Sequence, residues 1–239
     1  MKFLRGSLSL LGVAASVALL ASCATTGASG AGSAAPAKGA IVIPKATGAI
    51  PVDGNATGWP ATAGIAINDD ANGVSGNIKL CYDATNLYVF VSVNGDKPIN
   101  FNHGKDIWNG NALEILFGMD PNASKFEAAM GDKDYQIGLS PGNPRVKIAP
   151  TSHDWTHANG DAASAMKVVV TAQGYQMEAS IPWSHFAGFT PASGKTFAVD
   201  FALDEASGMG LSRDSQWIMD GNVDYYHVPS QWTSVAELE

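Results

Sequence analysis

The chain has 239 residues, a formal net charge of −8 and a hydrophobic content of 46%. This content is sufficient for a folded domain with its own core. The excess of acidic over basic residues argues against nucleic acid as a partner and against binding to anionic lipid through a cluster of basic residues. Of the two cysteines, Cys81 lies in an apolar run between Leu80 and Tyr82. We therefore expect a buried thiol there rather than a reactive nucleophile.

The first 22 residues are typical of a bacterial lipoprotein signal peptide. Lys2 and Arg5 precede an apolar segment, residues 8–20, that is too short to span a bilayer. The sequence Leu20-Ala21-Ser22-Cys23 follows and matches a lipobox, in which the signal is cleaved before a Cys whose thiol is acylated, for example with palmitate. Cleavage would take the formal charge from −8 to −10 by removing Lys2 and Arg5.

Lipidation of Cys23 has two consequences. It leaves Cys81 as the remaining thiol, so we expect no internal disulfide and a fold stabilised by its core. It also predicts a membrane-anchored protein at the cell envelope, facing the periplasm or the surface. Ala24, rather than Asp, follows the Cys and resembles the pattern of lipoproteins sent on to an outer membrane.

Residues 24–39 are almost wholly Ala, Gly, Ser and Thr, without a periodicity that could bury a face. A flexible segment of this length has a root-mean-square reach of roughly 20–25 Å, enough to hold a domain clear of lipid headgroups. The sequence therefore predicts a signal peptide over residues 1–22, a lipidated Cys with a flexible linker over 23–40, and one domain over 41–239.

Short strands separated by turn residues account for most of this domain. Their β-branched and aromatic residues alternate with polar ones, and no long stretch has helical apolar spacing. We expect an all-β fold, a single antiparallel β-sandwich of jelly-roll-like form. The predicted strands include residues 77–82, 87–93, 113–117, 133–139, 167–171, 175–181 and 197–204.

A polar aromatic loop enters one of these strands over residues 106–121. Leu113, Ile115 and Phe117 fall on one face of the strand, so Glu114 must point to the other, towards Trp108. A ring beside a carboxylate suits a sugar, whose axial hydrogens stack on a π face while its hydroxyls take hydrogen bonds. The alternative is a half-buried Trp that closes a strand end beside a solvated Glu.

No catalytic constellation is evident, so we expect a binding protein rather than an enzyme. Four acids could in principle supply the carboxylate pair of a glycosidase, but nothing in their spacing indicates that any two share a cleft, and we expect acids on the outer side of the strands to be solvated. They are Glu114, Asp200, Asp204 and Glu205. Residues 152–157 bring two His and an Asp together, and their surroundings favour a solvated loop over a metal site.

Several segments occur in an order and spacing that resemble a known family. They are residues 52–54, 78–83, 86–89, 108, 113–115, 175–183 and 229–232, with Asp200, Asp204 and Trp217 between the last two. In this arrangement the chain resembles the family 9 carbohydrate-binding modules, and the likeness covers nearly all of residues 50–238.

The resemblance implies a β-sandwich that binds an oligo- or polysaccharide without cleaving it. Such modules are often attached to xylanases and clamp the end of a glycan between two aromatic rings. By this likeness Trp108 is one wall, Tyr226 is the other, Glu114 binds hydroxyls and Asn222 is a polar contact. The ligand would derive from xylan or cellulose, a separate glycoside hydrolase would be the partner in polysaccharide catabolism, and structural calcium occurs in some members.

Three positions depart from the family pattern. An Arg common on the strand near Gln136 is replaced by Gly138 or a neighbour, Asn111 stands where Asp is common, and Thr57 lacks the acid that often follows the Asp-Gly turn. These departures predict a slot with stacking rings but without a strong charged donor to hydroxyls.

Two other functions are compatible with the sequence. Related sandwich domains bind b-type haem through Met with Lys or His, and candidate ligands here are Met177, Met219, His103, His185 and His227. A structural envelope lipoprotein could instead use Trp108 and Tyr226 as contacts to another protein.

Overall fold

The computed structural model describes residues 39–120, 122–123, 126–157, 160–207 and 211–239. The predicted signal peptide, Cys23 and all but the last two residues of the predicted linker lie outside these ranges. Within the ranges, no helix is long and apolar enough to cross a membrane.

Two β-sheets form the described domain, with strands as follows: β1 Ile41–Ile43, β2 Ile65–Asp69, β3 Val74–Tyr82, β4 Asn86–Asn94, β5 Ala112–Gly118, β6 Asp134–Ser140, β7 Thr151–Asp154, β8 Ala165–Val170, β9 Gly174–Pro182, β10 Thr196–Glu205, β11 Ser215–Ile218 and β12 Ser234–Leu238. Four short 3-10 helices lie between them: Gly104–Asn109, Pro144–Val146, Trp183–His185 and Pro229–Gln231.

The smaller sheet has the order β2-β3-β4-β9-β8, and every neighbouring pair in it is antiparallel. The larger sheet has the order β1-β12-β10-β5-β6-β7, and β11 also pairs with β10. Its pairs are antiparallel except for β1 and β12, which run parallel with Ile41 opposite Ala236. The chain thus forms a two-sheet sandwich, which confirms the predicted fold class.

The core lies between the sheets and follows from the alternation within each strand. Leu87, Val89, Val91 and Val93 of β4 are buried in it, as are Phe197, Val199, Phe201 and Leu203 of β10. Each predicted strand is present, with ends shifted by up to three residues. On the larger sheet, the side chains between these core residues therefore point away from the core. This outer face carries the candidate site.

The chain before β2 covers part of the smaller sheet's outer face, and one buried acid holds it there. Glu178 of β9 accepts hydrogen bonds from the backbone N–H groups of Asp53 and Gly54 at 3.0 and 2.8 Å and from the Trp59 indole N–H at 2.7 Å. Gly54 has a φ of +84°, and a Cβ there would lie 2.7 Å from Val169 Cγ2. The turn therefore requires glycine both for its conformation and for space.

Several predictions about single residues can now be compared with the structure. Cys81 is fully buried, as predicted, and burial raises the pKa of its thiol to about 12. Met177, considered as a haem ligand, packs in the core. The predicted solvated loop over residues 152–157 is wrong, because its first half is the edge strand β7 and the Asp154 carboxylate is buried, accepting hydrogen bonds from His185 Nε2 at 2.9 Å and Thr156 Oγ1 at 2.6 Å.

Candidate functional site

A cleft of about 600 Å³ opens on the outer face of the larger sheet. Its floor is a row of polar side chains on neighbouring strands, namely Gln216 on β11, Glu114 on β5 and Gln136 on β6, and Gln216 donates a hydrogen bond to the buried Asp204 of β10. These residues point outward because Leu113, Ile115 and Phe117, with their counterparts on the adjacent strands, point into the core. The volume lies in the range usual for small-molecule sites.

One wall of the cleft is built on the 3-10 helix Gly104–Asn109, which packs against β5, β6 and β7. The side chain of Asn100 holds this helix by donating to the carbonyls of Ile107 at 2.7 Å and Asn111 at 2.9 Å. Trp108 projects from the helix with 40% of its surface exposed. An indole fixed in this way is available for stacking at little cost in conformational entropy.

The loop that follows β11 forms a second wall. Tyr225 is buried there, accepting a hydrogen bond from Gln216 Nε2 at 2.7 Å, and its carbonyl accepts one from Trp232 Nε1 at 2.6 Å. The adjacent Tyr226 lines the cleft with 49% of its surface exposed. The buried tyrosine anchors the loop, and its neighbour presents a ring to the cleft.

Hydrogen bonds join the floor residues into one network. Gln136 Nε2 donates to Glu114 Oε2 at 2.7 Å, and Gln216 Nε2 donates to Asp204 Oδ1 at 2.6 Å. Arg213 Nη1 donates to the same Asp204 oxygen at 2.8 Å and lies 4.0 Å from Glu114 Oε1. Glu114 is therefore not the solvated strand acid of the alternative interpretation, since only 2% of its surface is exposed.

Asp204 also lies close to Glu114, since Arg213 Nη1 is within 4.0 Å of an oxygen of each. Burial, together with the negative charge of Glu114, raises the pKa of Asp204 well above its usual range. A raised pKa favours the protonated form of Asp204 and so reduces the negative charge beside Arg213.

The prediction that Asp200 and Asp204 are solvated is wrong, since both are fully buried. Arg213 Nη1 lies 2.8 Å from Asp204 Oδ1 and 4.0 Å from Glu114 Oε1, so the two acids and the guanidinium form one charged cluster.

Arg213 corrects the prediction that the slot lacks a charged donor. It reaches the cleft from the segment between β10 and β11 rather than from the strand near Gln136, and its guanidinium carbon lies 5.1 Å from the centre of the Trp108 ring. This distance is within the range of a cation–π contact, which orients the guanidinium plane and the indole together.

The structure brings three of the four predicted ligand contacts into one cleft: Trp108, Glu114 and Tyr226. It places Asn222 differently, because its Oδ1 accepts a hydrogen bond from the backbone N–H of Asp224 within the turn, and it is not among the residues that line the cleft. The sequence did not indicate Arg213, Gln216 or Trp155 as residues of the site, nor the anchoring role of Tyr225. Their contribution depends on pairings between distant segments, for which the sequence carries no local signal.

Comparison with known proteins is consistent with this geometry. Residues 52–238 match the family model described as the carbohydrate family 9 binding domain-like family. The chain belongs to this family.

Two solved structures of family 9 modules share the fold. Both are from Caldicellulosiruptor kristjanssonii, one in complex with cellotriose and one with glucose. The first has a TM-score of 0.62 at 16% identity and covers 83% of this chain and 93% of its own, and the second has a TM-score of 0.59 at 18% identity and covers 83% and 95%. No curated protein matches the chain.

The family resemblance implied structural calcium, and one cluster of oxygens beside the cleft has suitable chemistry. Among the described residues, no group of three or more His, Cys, Asp or Glu side chains is placed to hold a metal. Three residues with carboxylate or amide oxygens are nevertheless associated: Asp96, Asn111 and Glu205. Asn111 Nδ2 donates a hydrogen bond to Asp96 Oδ2. Burial raises the pKa of Glu205, and the negative charge of Asp96 raises it further.

Two oxygens of this set have no hydrogen-bond donor among the described residues, although both are buried. They are Asn111 Oδ1 and Glu205 Oε1. Carboxylate and amide oxygens are the ligands that calcium prefers, and buried oxygens without a donor are costly unless a cation satisfies them. The oxygen atoms of Asp96, Asn111 and Glu205 are therefore of the type that suits a calcium ion.

Proposed function

We propose that this domain binds a neutral oligo- or polysaccharide without chemical change, by stacking sugar rings against Trp108 and Tyr226. The observation that carries the proposal is the cleft itself, in which two exposed aromatic side chains, one on the 3-10 helix Gly104–Asn109 and one on the loop after β11, border polar side chains. A sugar offers an apolar face for the rings and hydroxyls for the floor, so one ligand satisfies both features.

The electrostatics of the floor support a neutral ligand over an anionic one. Arg213 Nη1 donates to Asp204 Oδ1 at 2.8 Å and lies 4.0 Å from Glu114 Oε1. The positive charge of Arg213 is therefore already compensated by these two acids. A sugar carboxylate would have to compete with these acids for the guanidinium. Sugar hydroxyls can instead donate to Glu114 and accept from the second amide N–H of Gln136 without displacing a charge.

The ligand class follows from the family and its solved members. The two similar structures hold cellotriose and glucose, which favours a β-glucan such as a cellulose fragment. Xylan is the second candidate, because the resemblance in sequence is to modules often borne by xylanases.

The cellular setting is inferred from the first 40 residues. A lipid on Cys23 and a flexible linker would hold the domain at the cell envelope, within reach of soluble or insoluble glycan. In this setting the protein would capture glycan for a separate glycoside hydrolase and so assist polysaccharide breakdown. Radiolabelled palmitate incorporation, lost in Cys23→Ser, tests the anchor.

Calorimetric titration of the soluble domain, residues 41–239, with cello- and xylo-oligosaccharides tests ligand binding. We expect Trp108→Ala and Tyr226→Ala each to weaken binding by about tenfold, because a stacked ring contributes roughly 1 kcal/mol beyond area burial. Phe126→Ala is the matched control, since Phe126 is 90% exposed and does not line the cleft.

Two results would contradict the proposal. One is the absence of binding across glycans of both backbones, including insoluble cellulose and xylan in pull-down assays. The other is equal binding by wild type and by both cleft variants, which would place the glycan elsewhere on the domain.

A further inference from the structure

A third aromatic ring lines the cleft, on the same side as Trp108. Trp155 directly follows β7, and its indole N–H donates to the carbonyl of Lys105 at 2.8 Å. Lys105 belongs to the 3-10 helix that carries Trp108. The two indoles are therefore fixed to the same short helix, one as part of it and one by a hydrogen bond.

The ring of Trp155 lies over a glycine in the middle of a strand. Gly138 of β6 is buried, and a Cβ there would lie 2.3 Å from Trp155 Cη2 and 2.7 Å from Cζ3. Glycine in a strand interior weakens the strand and often marks the close approach of another group. Here that group is a half-buried indole, which occupies the place that any side chain at position 138 would take.

Core packing does not explain this arrangement. Trp155 belongs to none of the hydrophobic clusters formed by the described residues. Its fixed contacts are polar or edge-on, comprising the bond to Lys105, a backbone bond from its N–H to Gln136 O at 3.0 Å, and a T-shaped contact with His153 at 5.5 Å. The ring is thus held rigidly while part of it borders the open cleft.

The position of Trp155 also extends the floor. The strands run side by side in the order β11, β10, β5, β6 and β7, and the usual spacing of about 4.8 Å between strands makes this row roughly 19 Å across. Gln216 and Tyr225 lie at one end and Trp155 at the other. A single sugar ring between Trp108 and Tyr226 leaves the Trp155 end of the row uncovered.

We propose that Trp155, seated over Gly138, forms a second aromatic subsite that stacks the sugar residue next to the one held by Trp108 and Tyr226. This inference rests on the proposed glycan binding and adds to it a reason for the domain to prefer chains over single sugars. Trp155 is a residue that determines ligand length, and Gly138 is the residue that positions it.

Titration of residues 41–239 with glucose, cellobiose, cellotriose and cellotetraose tests the subsite. We expect wild type to bind the longer oligosaccharides more tightly than glucose. Trp155→Ala should reduce this gain by about tenfold and leave glucose affinity within about twofold, since one stacked ring contributes on the order of 1 kcal/mol. Trp155→Phe should keep most of the gain.

Gly138→Ala provides an independent test, because it keeps Trp155 but displaces its indole from the position over residue 138. We expect it to lose the same dependence on length as Trp155→Ala. Gly73→Ala is the matched control, since a Cβ there meets no atom within 4 Å. Far-UV circular dichroism and the melting temperature establish that each variant is folded.

The outcomes separate this inference from the function it rests on. If wild type binds no glycan, both proposals fail. Wild type could instead bind glycan while Trp155→Ala lowers the affinity for glucose and for cellotetraose equally, or lowers neither. In that case Trp155 has a structural role only, and the proposed subsite is wrong while glycan binding stands.

Discussion

Arg213 donates to Asp204 Oδ1 at 2.8 Å, across the segment that joins β10 to β11. This bond fixes the guanidinium with its carbon 5.1 Å from the centre of the Trp108 ring. The buried acid thereby orients the cation, and the cation supports the stacking indole. A change at Arg213 should therefore affect the cleft through position as well as charge.

Replacement of Arg213 by Lys keeps the positive charge but loses the planar donor fork and its contact with the ring. We expect Arg213→Lys to weaken cello-oligosaccharide binding by about tenfold, equivalent to about 1.4 kcal/mol. Calorimetric titration measures the change, and Arg145→Lys, at an exposed position in the 3-10 helix Pro144–Val146, is the control. Unchanged affinity in the variant would show that the guanidinium does not contribute to the site.

Gly54 should be intolerant of even the smallest side chain. Gly54→Ala combines a positive φ of +84° with a Cβ 2.7 Å from Val169 Cγ2, and it strains the turn whose N–H groups bond to Glu178. We expect a loss of about 2–3 kcal/mol in the free energy of unfolding, measured in urea. Gly73→Ala has a similar φ of +68° in open space and should cost only about 1 kcal/mol. Equal losses would mean that the contact with Val169 relaxes at no cost.

The stability of the domain should depend on pH through Asp200. Burial and the nearby charge of Asp220 raise the pKa of Asp200 from 3.8 to about 7. The residue opposite Asp200 on the neighbouring strand β5 is the apolar Leu116. Between pH 4 and pH 7 the folded state keeps a proton that the unfolded state has lost. The free energy of unfolding contributed by this group therefore falls as pH rises through that window and is level above it.

Asp200→Asn removes this titration and preserves the shape of the side chain. We expect the decline in the free energy of unfolding between pH 4 and pH 8 to be smaller in the variant by about 2–4 kcal/mol. Urea denaturation at both pH values measures it, with Asp161→Asn as the control at an exposed acid. Parallel pH profiles for wild type and Asp200→Asn would contradict the assignment.

Calcium should stabilise the domain if Asp96, Asn111 and Glu205 hold it. We expect millimolar CaCl₂ to raise the melting temperature of protein treated with chelator by roughly 5–10 °C, the shift for a domain of this size when ligand is near a hundredfold over its Kd. Asn111→Ala should reduce that increment, and Asp161→Asn should not. A melting temperature that is insensitive to calcium in wild type would mean that the two buried oxygens are satisfied in another way.

The sequence predicted the sandwich where alternation is strong and the strands are central. β3, β4, β5, β9 and β10 each direct one set of alternate side chains into the core and are long enough to show a period of two. It missed β2, β7, β11 and β12, which have four or five residues and depend on a neighbour for their backbone hydrogen bonds.

The site was predicted only in part, for a related reason. Trp108 and Glu114 lie within one stretch, so their proximity could be inferred from the strand pattern, and Tyr226 came from a family resemblance. Arg213 could not be placed, because its contact with Glu114 joins residues far apart in sequence. The burial of Asp204 was likewise unforeseen, since a strand acid becomes compatible with burial only when partners from other segments satisfy it.

The glycine under Trp155 has an evolutionary consequence. Every glycine codon becomes an arginine codon by a single nucleotide change. Any side chain at position 138 would displace the Trp155 indole from its position over the backbone. One mutation could therefore exchange a flat apolar platform for a long cationic arm in the same cleft, on an unchanged backbone. Ligand preference in this domain is then adjustable at a position that itself touches no ligand.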